Sequence, residues 1–157
     1  MSLIKVGSDK VAYRPLFDRF NAQAVCVESA YLLSRDEYVD SINQSLSNLL
    51  NTRCHVSEAD YDLLNPETLD YGVPVLFGLP DFSYYDPMNR LSWQKLQRYI
   101  KNSVRLFEPR FELETLEVQD FNINTQTLTC LFTGWIHHND KRELIAYSVG
   151  IDSPNRS

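Results

Sequence analysis

The chain has 157 residues, 43% hydrophobic and 23% charged, the size and balance of one soluble globular domain that buries roughly two-thirds of its unfolded surface. Its net charge of −6 weighs against a general binder of nucleic acid or anionic membranes, because both depend on Lys and Arg. It also weighs against a cell-wall hydrolase, which must approach an acidic polymer. Neither an eighteen-residue apolar window nor the h-region of a signal peptide is present, so no membrane insertion is expected.

In chain order, residues 1–12 read as a flexible tail. Pro15 to Phe20, PLFDRF, gathers three apolar residues into one turn, with proline placed to start a short helical arm that can dock on a partner. Cys26, Cys54 and Cys130 are an odd count without repeated spacing, which suits free thiols in a reducing, cytoplasmic compartment.

Ser34 and Glu37 are spaced as a capping box. The helix that follows runs to about Arg53, with Tyr38, Val39, Ile42, Leu46, Leu49 and Leu50 on one stripe. Residues 54–88 are punctuated by Pro66, Pro74, Pro80 and Pro87 with Gly72 and Gly78, so only a turn of helix near 58–64 is expected. The remainder is a connection pinned by Tyr71, Phe77, Phe82, Tyr84 and Tyr85. A second helix spans Asn89 or Leu91 to Phe107 on the stripe Leu91, Leu96, Tyr99, Ile100, Ser103, Val104 and Phe107, and Pro109 stops it.

After Arg110 the apolar period becomes two. Leu113 to Phe121, the alternation around Leu128, Cys130 and Phe132, and Glu143 to Ile151 read as three strands, with turns at Asn122–Thr125 and His138–Lys141. The expected fold is α+β: two amphipathic helices packed on a three-stranded antiparallel β-meander, preceded by the short arm. One domain covers 13–151, and 152–157 is a polar tail.

Charge is uneven. Eight acids (Asp36, Glu37, Asp40, Glu58, Asp60, Asp62, Glu67, Asp70) face Arg53 alone between 36 and 70, and six bases (Arg90, Lys95, Arg98, Lys101, Arg105, Arg110) face Glu108 alone between 90 and 110. Either the two segments pair with each other or they form a dipole that faces partners.

Chemistry is scarce. There is no G-x-S-x-G, no catalytic cysteine motif, no phosphate loop and no CxxC or HxxxH spacing. His137 and His138, adjacent on a strand, point to opposite faces and do not share a metal; no cofactor is expected. Glu108 is the best acid for a peptidoglycan hydrolase, the rival reading. Arg110 two residues away favours its ionised form, the wrong state for a general acid.

As structure, the segment is a latch. Arg110 can serve open helix carbonyls or grip an acid; Glu108 can accept backbone N–H groups or pair with Arg53 at the end of the first helix; Pro109 fixes the exit angle.

The order of four motifs adds to this: PLFDRF near the N-terminus, LLNTR (Leu49–Arg53), FGLPDFS (Phe77–Ser83) and FEPR (Phe107–Arg110) before a meander. It resembles the phage gene-twenty-five-like baseplate wedge family, often labelled lysozyme-like, whose bacterial branch is the TssE subunit of type VI secretion systems. The resemblance covers roughly 13–151. It implies a structural role beside TssF and TssG, with a sheet like the interlocking β-domain of the sheath subunits. It also implies that Glu108, Pro109 and Arg110 shape the core and that Leu16, Phe17, Arg19, Phe20, Phe77 and Asp81 meet partners. Strand addition on an edge, Leu113–Phe121 or Glu143–Ile151, is the physical route to the sheath.

Overall fold

The structure, a computed structural model, describes residues 10–16, 19, 32–83, 85–86 and 89–152. Among the described residues, three α-helices and a three-stranded antiparallel sheet form an α+β fold, the class the sequence predicts. β1 (Lys10–Tyr13) pairs antiparallel with β2 (Leu32–Ser34). This pairing was not foreseen, and it takes residues 10–12 out of the expected tail. Ser34 then caps α1 (Arg35–Asn51) with the full capping box. The apolar stripe of α1 is buried: Ile42, Leu46 and Leu50 have no exposed surface, each worth about 1.5–3 kcal/mol against exposure.

The region 54–88 contains α2 (Glu58–Leu63) and two 3₁₀ turns, Pro66–Thr68 and Pro74–Leu76. The aromatic anchors differ from expectation. Phe82 is buried, but Tyr71 is exposed, and the pinning falls to Tyr61, Leu76 and Leu79; Tyr84 lies outside the described residues. Aliphatic and aromatic residues compete for the same apolar volume, and composition does not rank them.

α3 (Arg90–Phe107) starts at Asn89, whose side chain accepts from the Leu91 and Ser92 amides, and ends at Glu108. Leu96, Tyr99, Ile100 and Val104 enter the core, whereas Leu91 is exposed. β3 (Phe111–Asn122), β4 (Thr127–His138) and β5 (Lys141–Asp152) form a meander with β4 in the centre. The β4–β5 turn is two residues, Asn139 and Asp140, both at positive φ, as tight hairpins require.

β4 alternates strictly, burying Leu128, Cys130, Phe132 and Ile136. β3 does not. Register shifts between Leu113 and Thr115 and between Val118 and Asp120 insert an extra residue twice. They keep Phe111, Leu113, Leu116, Val118 and Phe121 opposite the core-facing positions of β4. Gly134 sits beside the first shift, where a Cβ would lie 2.3 Å from the Glu112 carbonyl oxygen. Helices α1 and α3 share one core with this face of the sheet.

Candidate functional site

The last turn of α3 delivers Glu108 to the helix end, where its amide still bonds the Val104 carbonyl at 2.8 Å. Pro109 then prevents continuation, and the Phe111 amide donates to the Glu108 carbonyl at 3.1 Å. The Glu108 side chain is 2% exposed. Arg110 donates Nε to its Oε1 at 2.6 Å and Nη2 to its Oε2 at 2.8 Å, the fork that matches guanidinium to carboxylate. The remaining arm reaches α1: Nη1 donates to Ser41 Oγ at 3.1 Å, and the guanidinium carbon is 5.8 Å from the Tyr38 ring centroid. FEPR thus fixes α3, β3 and the middle of α1 to one another. Both carboxylate oxygens serve a cation, the arrangement of an ion pair rather than of a proton donor.

Burial pushes up the phenol pKa of Tyr38 and of Tyr147. Both hydroxyls donate to backbone carbonyls, of His137 at 3.4 Å and Val39 at 3.2 Å. They serve as neutral struts around the ion pair.

Arg53 does not join this latch. Its guanidinium donates to the Leu50 carbonyl at 3.1 Å and to the Asp152 carbonyl, and lies 4.4 Å from the Phe82 ring centroid. The reason is helical rise. Arg110 meets α1 at Ser41, and the helix runs on for about 15 Å to Asn51. The expectation that Glu108 pairs with Arg53 is corrected accordingly. Burial lowers the Arg53 pKa, and the charges of Asp81 and Asp152 oppose that shift.

LLNTR and FGLPDFS meet directly. Arg53 and Leu79 form a parallel bridge, with Leu79 N–H to Thr52 O at 2.9 Å and Cys54 N–H to Leu79 O at 3.0 Å. Gly78 enters this bridge at φ +101°, and its carbonyl accepts from the buried Ser103 hydroxyl of α3 at 2.7 Å. Asn51, the last residue of α1, spans to β5: its Nδ2 donates to the Gly150 carbonyl and its Oδ1 accepts from the Asp152 amide, both at 2.9 Å. The bonds made by Ser41, Asn51 and Ser103 were not foreseen; Asn51 carried a signal in its place in LLNTR, and Ser103 in its place on the stripe of α3.

Of the residues expected to meet partners, Leu16 is exposed and lines a shallow cleft with Arg19, Phe107, Glu108, Pro109 and Arg110. Arg19 Nε donates to the Arg14 carbonyl at 2.7 Å. Phe17 and Phe20 lie outside the described residues. Phe77 is 41% exposed and packs edge-on against Phe107 with centroids 5.2 Å apart. Asp81 is exposed and accepts from the Ser83 amide at 2.9 Å.

The acidic and basic segments pair within the chain. Lys95 bonds Glu58, and Arg98 bonds Asp62 and, at 2.8 Å, Glu67. Arg105 donates to the Leu69 and Pro66 carbonyls at 2.8 and 2.7 Å. Cys54 and Cys130 are free thiols; burial pushes Cys130 up to about 12, an inert core residue. Cys26 lies outside the described residues. Among the described residues no three His, Cys, Asp or Glu side chains gather as a metal site, and no helix is long and apolar enough to cross a membrane.

A meander clamped by two helices, with its buried charge neutralised in a joint between elements, makes this a domain of the α+β class. Residues 36–140, more than half of the chain, match the family model described as baseplate wedge protein gp25, and the chain belongs to that family. No curated protein and no solved structure matches it.

Proposed function

We propose that this chain is a non-enzymatic baseplate subunit of a contractile injection machine of the type VI secretion kind, in the position of TssE. It is held in the cytoplasmic baseplate by TssF and TssG, and its sheet is a template from which the sheath starts by strand addition. The match of residues 36–140 to baseplate wedge proteins carries this reading. Two features support it. The buried acid that a hydrolase would need is consumed by Arg110. Among the described residues the sheet ends on both sides in an edge strand, β3 and β5, and an edge invites pairing with another chain.

The test is co-expression of the full chain with the products of its neighbouring genes, followed by affinity capture and mass spectrometry. TssF, TssG and sheath subunits are expected in stable association. A folded chain that retains none of them would overturn the reading. A peptidoglycan zymogram runs beside it. A clearing zone that disappears in Glu108→Gln would replace the scaffold by a hydrolase.

A further inference from the structure

The first turn of α3 lies roughly 22 Å along the helix from Glu108 and borders a cavity that the latch does not use. The cavity holds about 120 Å³. The end of FGLPDFS, the first turn of α3 and the β3–β4 hairpin meet around it. Its walls are apolar: Phe82 and Leu128 are buried, Trp93 and Phe121 half-buried. Asp86 brings the only carboxylate, and among the described residues no base lines the cavity. Gln126 lines it too, at φ +52°, a left-handed position that favours glycine yet here carries a long carboxamide.

The surface of the same elements is apolar as well. Leu91, on the first turn of α3, is 75% exposed, and Ile123, in the hairpin, is 79% exposed. Neither packs on the core of the chain, although the helical stripe places Leu91 inward. Apolar side chains held in water beside an aromatic-walled cavity with a polar rim are the pattern of a contact site for another protein.

Size selects the occupant. Sites for metabolites and cofactors span about 300–1,000 Å³, and an apolar cavity of about 150 Å³ takes up a single benzene. The cavity here is too small for a metabolite and of the right order for one side chain. Aromatic walls suit a leucine or, through its polarisable sulfur, a methionine. Charge selects the neighbour of that side chain. Asp81 and Asp86 face Arg90 alone between residues 81 and 93, and residues 121–128 carry no charge, so the mouth has a negative balance that complements a base.

We infer that this cavity is a socket for one leucine- or methionine-sized side chain of a partner protein, presented beside a lysine or arginine that faces Asp86. The socket is separate from the latch and from strand pairing, and it does not depend on the baseplate reading.

The test uses the full chain, whose two tryptophans are Trp93 and Trp135. The indole N–H of Trp93 reports on the cavity in nitrogen-correlated NMR, and that of Trp135 on the integrity of the sheet. The probes are two capped dipeptides, N-acetyl-Met-Arg-amide and N-acetyl-Met-Glu-amide. The basic dipeptide is expected to shift Trp93 saturably, to leave Trp135 in place, and to bind at least about threefold more tightly than the acidic one. Asp86→Asn should remove that difference. Ser92→Phe, at the half-buried rim, should abolish the Trp93 shift with Trp135 unmoved. A Trp93 resonance that neither dipeptide moves overturns the socket, and equal affinities overturn the role given to Asp86. Saturation by benzene without a response to either dipeptide would assign the cavity to a small apolar molecule and overturn the partner side chain. A Trp93 resonance that moves with protein concentration alone would assign it to a second copy of this chain, with the same consequence.

Discussion

Arg110 closes on Glu108 with two parallel bonds of 2.6 and 2.8 Å, so the one buried carboxylate among the described residues carries its counter-ion two positions along the chain. The pair is asymmetric in burial: the acid is 2% exposed and the guanidinium side chain 27%. Removing Arg110 strands a desolvated negative charge. Arg110→Ala is expected to cost about 3 kcal/mol, at the low end for a buried pair because the guanidinium keeps some water. Urea unfolding measures it. The double change Glu108→Gln with Arg110→Met should be more stable than Arg110→Ala alone. If it is not, charge burial is not the cause of the loss.

Gly78 is the point where LLNTR meets FGLPDFS. A Cβ there would lie 2.4 Å from the Thr52 carbonyl oxygen, and the backbone is at φ +101°. Both objections apply to any L side chain. Gly78→Ala should destabilise by about 2 kcal/mol or more, lowering Tm by about 5 °C for a chain of this size. A calorimetric Tm within a degree of wild type would contradict the tight bridge.

Glu143 lies between Arg35 and His138, and hydrogen bonds from Arg35 and then His138 bring its pKa from 4.5 down to about 2. A depressed carboxylate contributes stability that is complete above pH 4.5 and is lost as pH falls toward 2. The site is partly exposed, so the contribution is held to about 1 kcal/mol or less. Stability measured from pH 6 to pH 2 should therefore decline less steeply in Glu143→Gln than in wild type. Equal slopes would show that the cluster carries no linkage.

Ser34 accepts from the Glu37 amide at 3.3 Å, while the Glu37 carboxylate accepts from the Ser34 amide at 2.7 Å. Ser34→Ala leaves one helix-end donor without its partner and should cost about 1 kcal/mol. The loss is read from the midpoint of denaturant unfolding with an unchanged slope.

The parts legible in the sequence are those whose physics is local. The capping box needs residues three apart, the stripes of α1 and α3 need a period of 3.6, and the meander needs a period of two. Pro109 marks the end of α3 by steric exclusion alone, and the Glu108–Arg110 pair is legible because its members are two residues apart. The fold class and the closeness of Glu108 to Arg110 follow from such signals. The pairing of β1 with β2 was hidden, because a four-residue strand and a three-residue strand are too short for a period to show.

The sequence by itself determined the ends of α1 and α3 to within two residues and the faces they bury, Leu91 excepted. Only the tertiary structure decided what those faces and ends meet. Arg53 lies two residues beyond α1, and its destination depends on which carbonyls the end of β5 leaves open, 99 residues away. Asn51 reads as an ordinary last residue of a helix until Gly150 and Asp152 are set beside it. The two register shifts in β3 keep Leu113 and Leu116, and then Val118 and Phe121, each pair three residues apart, opposite the core-facing positions of β4, a parity that only the fixed partner strand enforces. A backbone group's need for a partner is general, but which group remains unpaired is settled only when the elements are assembled.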